Sequence, residues 1–276
     1  DDLQEIGKIK QLYSGGNGLK ESWSGSSGNI TEIHEAHRDI LTRYLNLSTS
    51  TPTGWSDLES SKDWKVRFWE LKPKSIKKVL EQLQHEGGFI FKYKPDGTAK
   101  YIHIKDSYSS SDVADTTFTK HDVVDIKIDV DAQSSLVTRA VTNYRRNAAD
   151  NSYTATSESV NAKTRSVYNF DDKENIKTNR LDYYINPEIP TIPSANPNDD
   201  FYTYYNAING DTKLIISGSI INPKFYNIDV GDVIAFEDMM PERMFNKDFT
   251  NLIFMLTDLT RKPGVLTFKA REIGEL

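Results

Sequence analysis

The sequence predicts an α+β, β-rich chain, in which a small α+β domain precedes an antiparallel β-barrel-like domain. Three observations carry this expectation. Two stretches of helical periodicity lie before residue 90, many short alternating stretches with turn residues follow, and after about residue 125 only one short aromatic stretch reads as helix. The boundaries expected are 1–29 as a linker or the continuation of an upstream domain, 30–124 as the α+β domain of two helices and a β-hairpin, and 125–276 as the β-barrel-like domain.

Residues 1–29 hold two Gly/Ser clusters, Ser14-Gly15-Gly16-Asn17-Gly18 and Ser24-Gly25-Ser26-Ser27-Gly28, which is loop composition. The chain opens Asp1-Asp2-Leu3-Gln4 with neither initiator Met nor apolar leader, and reads as part of a longer chain. From Ile30 the period changes. Ile33, His37, Ile40, Leu41 and Tyr44 share a helical face. Thr31 is the expected N-cap, with Glu35 in the first turn to suit the helix dipole. A loop, Ser48–Gly54, ends that helix.

Trp64–Trp69 alternates and is aromatic, so it reads as a short strand. Pro73 opens a second helix whose Ile76, Val79, Leu80 and Leu83 share a face, and Gly87-Gly88 stops it. Phe89, Phe91 and Tyr93 alternate, Pro95-Asp96-Gly97-Thr98 turns, and Tyr101–Ile104 returns as a β-hairpin. After the polar stretch Ser107–Lys120 come strands at Ile126–Val130, Leu136–Tyr144 and Lys213–Ile221. Between the last two lie a polar segment, Asn147–Arg165, the prolines Pro190, Pro193 and Pro197, and a short helix, Asp199–Ala207. Asp229-Val230-Gly231-Asp232 turns into Val233–Phe236, and Leu252–Leu259 pairs with Val265–Arg271 across Arg261-Lys262-Pro263-Gly264.

Composition narrows the chemistry. The 276 residues include 37% apolar ones, enough for a core. Cys is absent, which excludes disulfides, thiolate metal sites and Cys nucleophiles. The longest apolar run, Leu252–Leu256, is far short of a membrane helix. A formal charge of −6 argues against a protein that grips duplex nucleic acid.

The local motifs do not assemble into a site. His34-Glu35-Ala36-His37 sets two imidazoles three residues apart, but no third ligand follows at a recognisable spacing, and a hydrogen-bonded helix face is the plainer reading. Gly15-Gly16-Asn17-Gly18-Leu19-Lys20 has phosphate-loop composition, yet Lys20 precedes Glu21 and no apolar strand leads in. Asp129-Val130-Asp131 opens like a calcium loop, but Ser134 and Ala140 stand where Gly and Glu are needed. No Gly-x-Ser-x-Gly occurs; paired carboxylates need no local motif and stay open. Lys72, Lys74, Lys77 and Lys78, with Arg145-Arg146, read as solvated basic faces. Tyr183, Tyr184, Phe201, Tyr202, Tyr204 and Tyr205 read as core or interface, with a sugar-stacking platform as the alternative. No catalytic, cofactor-binding or metal-ligating residue is assigned, and no cofactor is expected.

Three stretches resemble the hub-type proteins of bacteriophage tails and baseplates, the gp27-like family also seen in contractile injection systems. They are the hairpin Phe89–Ile104, the strand and polar loop Leu136–Asn147, and the turn Asn222–Ile234 with its Val230-Gly231-Asp232-Val233. The terminal hairpin, ending Ala270-Arg271-Glu272-Ile273-Gly274, fits the same place. Hubs of this family carry a further barrel upstream, which this sequence lacks. The resemblance implies a non-enzymatic structural component of a phage tail tip or baseplate hub, located in the virion. It would form a homotrimeric ring that joins the tail tube or distal tail proteins to the spike or tip proteins. DNA would pass through without specific binding, and no membrane segment is expected. The alternatives are a receptor- or carbohydrate-binding module at the tail end and, further off, a cell-wall hydrolase.

Overall fold

A computed structural model of the chain describes residues 19–23, 28–94, 96–105, 108–132, 136–168, 175–185, 199–238, 243–244 and 247–276. The fold is α+β and strand-rich, with a curled half-barrel sheet after a small helical region, which bears out the predicted class.

Helix α1, Ile33–Leu45, buries Ile33, Ala36, His37 and Leu41. Its N-cap is Glu32, one residue beyond the expected Thr31, because the Glu35 carboxylate reaches back to accept from both the Thr31 and Glu32 N–H groups. Tyr44, assigned to the apolar face, is exposed. Helix α2, Trp55–Ser61, fills a stretch given no element from sequence; it offers only Trp55 and Leu58 as buried anchors, too few for a period. Trp64–Trp69 is extended but is not a ladder strand. Among the described residues it forms the isolated bridges Glu32↔Lys65 and Val66↔Tyr184, its partners being the few residues before α1 and the few at Tyr183–Ile185. Helix α3, Ile76–Gly87, closes on Gly88 at φ +66°. Strands β1, Phe89–Tyr93, and β2, Ala99–His103, form the expected hairpin.

The stretch Ser107–Lys120 contains a helical turn, α4 (Ser110–Val113), and strand β3 (Thr117–Thr119). Strand β4 (Val123–Val130) follows, then β5 (Arg139–Arg146). The polar segment Asn147–Arg165 holds strand β6 (Tyr153–Val160) and the start of helix α5 (Ala162–Tyr168), both missed because small polar residues hide their periods. Strand β7 (Ile176–Arg180) and helix α6 (Asp199–Asn209) come next; Pro190, Pro193 and Pro197 lie outside the described residues. The remainder is β8 (Leu214–Ile220), β9 (Val233–Glu237), the two-residue β10 (Arg243–Met244) and β11 (Lys247–Asp248), β12 (Leu252–Lys262) and β13 (Val265–Glu275).

The main sheet has the order β3-β9-β12-β13-β8-β4, antiparallel except for the β3–β9 pair. Its concave face buries one core around Ile216, Ile234, Phe236, Phe254, Leu266 and Phe268, closed by Phe118, Phe225 and Phe249. A second core joins the helices to residues much later in the chain. Ile33, Trp55, Trp64, Leu83, Phe89 and Tyr101 pack with Tyr144, Leu181, Tyr183, Tyr184 and Phe201. The three-stranded sheet β6-β5-β7 lends Tyr144 to this second core, not to the half barrel. The chain thus passes from the helical core to the half barrel at β3 and β4, back at β5, and out again at β8.

Candidate functional site

Hairpin β1–β2 and the Asp229–Asp232 turn, two of the three stretches singled out from sequence, meet. In the hairpin register Lys92 stands opposite Lys100, a like-charge pair that is unfavourable unless anions answer it. The turn supplies them: Lys92 Nζ donates to Asp229 Oδ2 at 2.7 Å and Lys100 Nζ to Asp232 Oδ1 at 2.5 Å. Burial alone would raise the Asp229 carboxyl, but Lys92, the Val230 N–H and Lys100 hold it below the usual carboxylate range.

The turn is built to present those acids. The Asp232 N–H donates to the Asp229 carbonyl at 3.0 Å, and Gly231 takes φ +86°, the positive value a type II turn needs at its third residue. Asp232 Oδ2 also accepts from the Asp229 N–H at 2.7 Å, so one carboxylate both closes the turn and binds Lys100. The Gly231 N–H donates to the Leu256 carbonyl, and the Leu256 N–H to the Asp232 carbonyl, stitching the turn to β12. A Cβ on Gly231 would overlap the Ile102 side chain. The joint therefore couples the helical core to the half barrel through two ion pairs and one close apolar contact.

Beside the joint lies a half-open groove of about 320 Å³, lined mainly by α3, β1, β2 and α6, with Met255 of β12. Ile102, His103, Tyr204 and Tyr205 are among its walls. It is mostly apolar, as ligand clefts are. Of the aromatic cluster named from sequence, Tyr183, Tyr184 and Phe201 are buried core. Tyr204 packs edge-on to Trp64 and donates its hydroxyl to the Gly88 carbonyl at 3.2 Å. Tyr205 lies on Phe201, rings 6.0 Å apart and nearly parallel. The side chain of Tyr202 lies outside the described residues.

The third stretch does not reach the joint. Its Arg146, at the end of β5, makes a bidentate pair with Glu70 at 2.7 and 3.1 Å. Lys74 sits 2.5 Å from the same carboxylate and 3.1 Å from Asp182, and the Tyr183 and Tyr153 hydroxyls donate to Glu70 and Asp182. Burial would raise Glu70, but Arg146, Lys74 and Tyr183 hold it down at about 2. Two residues of the basic spots, Lys74 and Arg146, thus belong to a clamp between the three-stranded sheet and the segment entering α3. A second tie sits behind it. Fully buried Glu86 accepts from the N–H groups of Asp182, Tyr183 and Tyr184 at 2.6, 2.8 and 2.6 Å and from Gln82. Its burial outweighs those donors and raises the carboxyl to about 7.

The two histidines of α1 point into different aromatic nests, His34 against Trp55 and His37 among Phe89, Phe91 and Tyr101. His37 Nδ1 lies 3.0 Å from the Tyr101 hydroxyl, and His34 Nε2 lies 3.2 Å from Glu32. Burial, helped by the Lys65 and His103 charges, lowers His34 to about 4, while burial and His34 lower His37 to about 3. Among the described residues no group of three metal-ligating side chains is placed to hold an ion, and no helix is long and apolar enough to cross a membrane. Asp129 and Asp131 flank the end of β4, where Asp131 pairs with Arg271 at 2.7 Å. Gly15–Gly18 and Ser134 lie outside the described residues.

No protein-family profile matches the chain, and no curated protein does. Among solved structures it is similar to a prophage tail protein, gp18, from Listeria monocytogenes EGD-e, with 13% identity and a TM-score of 0.44 over 77% of this chain and 57% of that one. It is also similar to a tail protein from Neisseria meningitidis MC58, with 11% identity and a TM-score of 0.48 over 91% and 69% of the two chains. A third is the 43 kDa tail protein of prophage MuSo2 from Shewanella oneidensis, with 9% identity and a TM-score of 0.43 over 90% and 67%. With each TM-score below one half, these likenesses decide neither the fold family nor the function of this chain.

Proposed function

We propose that this chain is a structural, non-enzymatic component of a phage tail tip or baseplate hub. In this reading it self-associates as a homotrimeric ring between the tail tube and the distal tip or spike, with a lumen through which DNA passes unbound. The observation that carries the proposal is the joint. Two separated stretches that resemble hub proteins, Phe89–Ile104 and Asn222–Ile234, are locked together by Lys92–Asp229 and Lys100–Asp232. A half barrel whose outer strands carry no further ladder among the described residues, tied to a second core by two ion pairs, suits a part that bears load between neighbours. The proposed division into 1–29, 30–124 and 125–276 follows chain order rather than packing, since Tyr144, Leu181 and Phe201 pack with the helices and Phe118 with the half barrel.

Averaged images of intact tailed particles, with this chain tagged, test the reading. Density for the tag at the distal end of the tube with threefold symmetry is expected. A chain found solely as a free monomer in lysate refutes it.

The groove favours one second reading, a receptor- or carbohydrate-binding module. Tyr205 is the side chain to test, because Tyr204 is already held by Gly88 and Trp64. Glycan-array binding that Tyr205→Ala abolishes would favour this reading; no signal for the wild type on any host sugar removes it.

A further inference from the structure

The segment entering α3 and the first turn of that helix carry a basic and aromatic surface. Five of the six charged residues in Arg67–Lys78 are basic, within a chain of formal charge −6. Phe68, Trp69 and Ile76 stand 49%, 37% and 44% exposed among them. The two aromatic side chains among them are held, not loose. The Phe68 ring stacks on buried Tyr183 at 4.9 Å, the Arg67 guanidinium covers one side of Trp69 at 5.4 Å, and the Arg67 N–H donates to the Tyr183 carbonyl at 2.7 Å. Rigid exposed aromatics ringed by charge are the composition of an interface centre.

The half barrel carries a surface of the opposite sign. Strand β4 is an outer strand of the main sheet, with no ladder on its far side among the described residues. Residues 122–131 hold four aspartates against Lys127. Asp122 and Asp131 are engaged by Asn222 and Arg271, which leaves Asp125 and Asp129 exposed on the strand. Val124 and Ile221 are exposed beside them, 39% and 41%.

From these two surfaces we infer that the Arg67–Lys78 face docks on the β4 edge of a second copy of this chain. The inference rests on the self-association proposed above and names its contact. A two-fold arrangement of either surface on itself would set lysine against lysine or aspartate against aspartate. The charges therefore set each face against the other rather than against itself, the pairing a head-to-tail ring repeats from copy to copy. Phe68, Trp69 and Ile76 meet Val124 and Ile221, while Lys72 and Lys78 face Asp125 and Asp129.

Sedimentation velocity of the full chain over a concentration series, at about 50 mM and about 500 mM NaCl, tests the contact, since salt screens it. Lys72→Glu with Lys78→Glu should weaken wild-type association by about tenfold or more. Adding Asp129→Lys to that variant should restore it to within about threefold. Far-UV circular dichroism checks that the exposed substitutions leave the fold intact. A wild type that assembles while the Lys variant assembles equally well, or a triple variant that is not restored, overturns this contact alone. A wild type that stays monomeric at every concentration overturns the contact and the self-association reading together. Binding of single-stranded DNA or anionic vesicles to the wild type, lost in the Lys variant while association persists, assigns the surface to another partner and also overturns it.

Discussion

Glu70→Gln tests whether the clamp between the three-stranded sheet and the α3 entry is a real source of stability. The substitution keeps the shape and removes the charge that Arg146 and Lys74 face. A carboxyl held at about 2 rather than its ordinary 4.5 corresponds to about 3 kcal/mol of stability at neutral pH. The Glu70 and Arg146 side chains are 11% and 6% exposed, so solvent screening removes little of it. Because the folded value is depressed, this stability is present above the unfolded value and is lost as pH falls through 4.5 toward about 2. At pH 3 about three-fifths of it is gone. Urea unfolding should therefore show the variant about 3 kcal/mol less stable at pH 7 and about 1.4 kcal/mol less stable at pH 3, with unchanged slopes. A loss below about 1 kcal/mol at pH 7, or an equal loss at both pH values, refutes the reasoning.

Glu86→Ala strips the acceptor from three backbone donors and should cost about 3–5 kcal/mol in the same urea assay; a cost under about 1 kcal/mol would mean water satisfies them. Gly231→Ala forces a left-handed residue to carry a Cβ into Ile102, and should lower stability by about 2 kcal/mol. Ile102→Val should recover part of that loss, and additive effects of the two changes would place the strain elsewhere. Zinc offered to the full chain in equilibrium dialysis should not be retained, because His34 and His37 face separate aromatic nests; a stoichiometric ion lost on His37→Ala would reverse that conclusion.

What was legible in the sequence were the elements with a local code. Hairpin β1–β2 and the Val230-Gly231-Asp232 turn were readable because a fixed φ and a left-handed glycine act within four residues. Helices α1 and α3 were readable from their apolar faces. The Trp64–Trp69 segment misled because aromatic alternation arises whenever one side of an extended chain packs on rings, with or without a ladder. Strand β6 was invisible for the converse reason: Thr, Ser and Ala suffice on a strand whose packing is done by its neighbour Tyr144. The site was harder still. Nothing near Lys92 or Lys100 announces Asp229 and Asp232, more than a hundred residues away. A signal did exist in the register, where two lysines placed opposite in a hairpin require anions from elsewhere.

That requirement gives the joint its own test. Were the two ion pairs incidental surface contacts, each would contribute close to nothing. The Lys100 side chain, however, is 10% exposed and its partner 31%, and Asp232 is fixed in place by the Asp229 N–H before Lys100 arrives. A preorganised, half-buried pair loses less side-chain entropy on forming, so a coupling of about 1–2 kcal/mol is expected from the Lys100→Met, Asp232→Asn double-mutant cycle. The same cycle on Lys92 and Asp229, 24% and 18% exposed, should give a similar value. Hydrogen exchange adds a directional readout. If the lysines hold the helical core to the half barrel, Lys92→Ala with Lys100→Ala should speed exchange of the Gly231 and Leu256 amides at the β12 seam while amides inside α1 keep their protection. Couplings near zero with unchanged exchange at Gly231 would show that Ile102 alone carries the joint, and the mechanical reading of the two stretches would lose its physical basis.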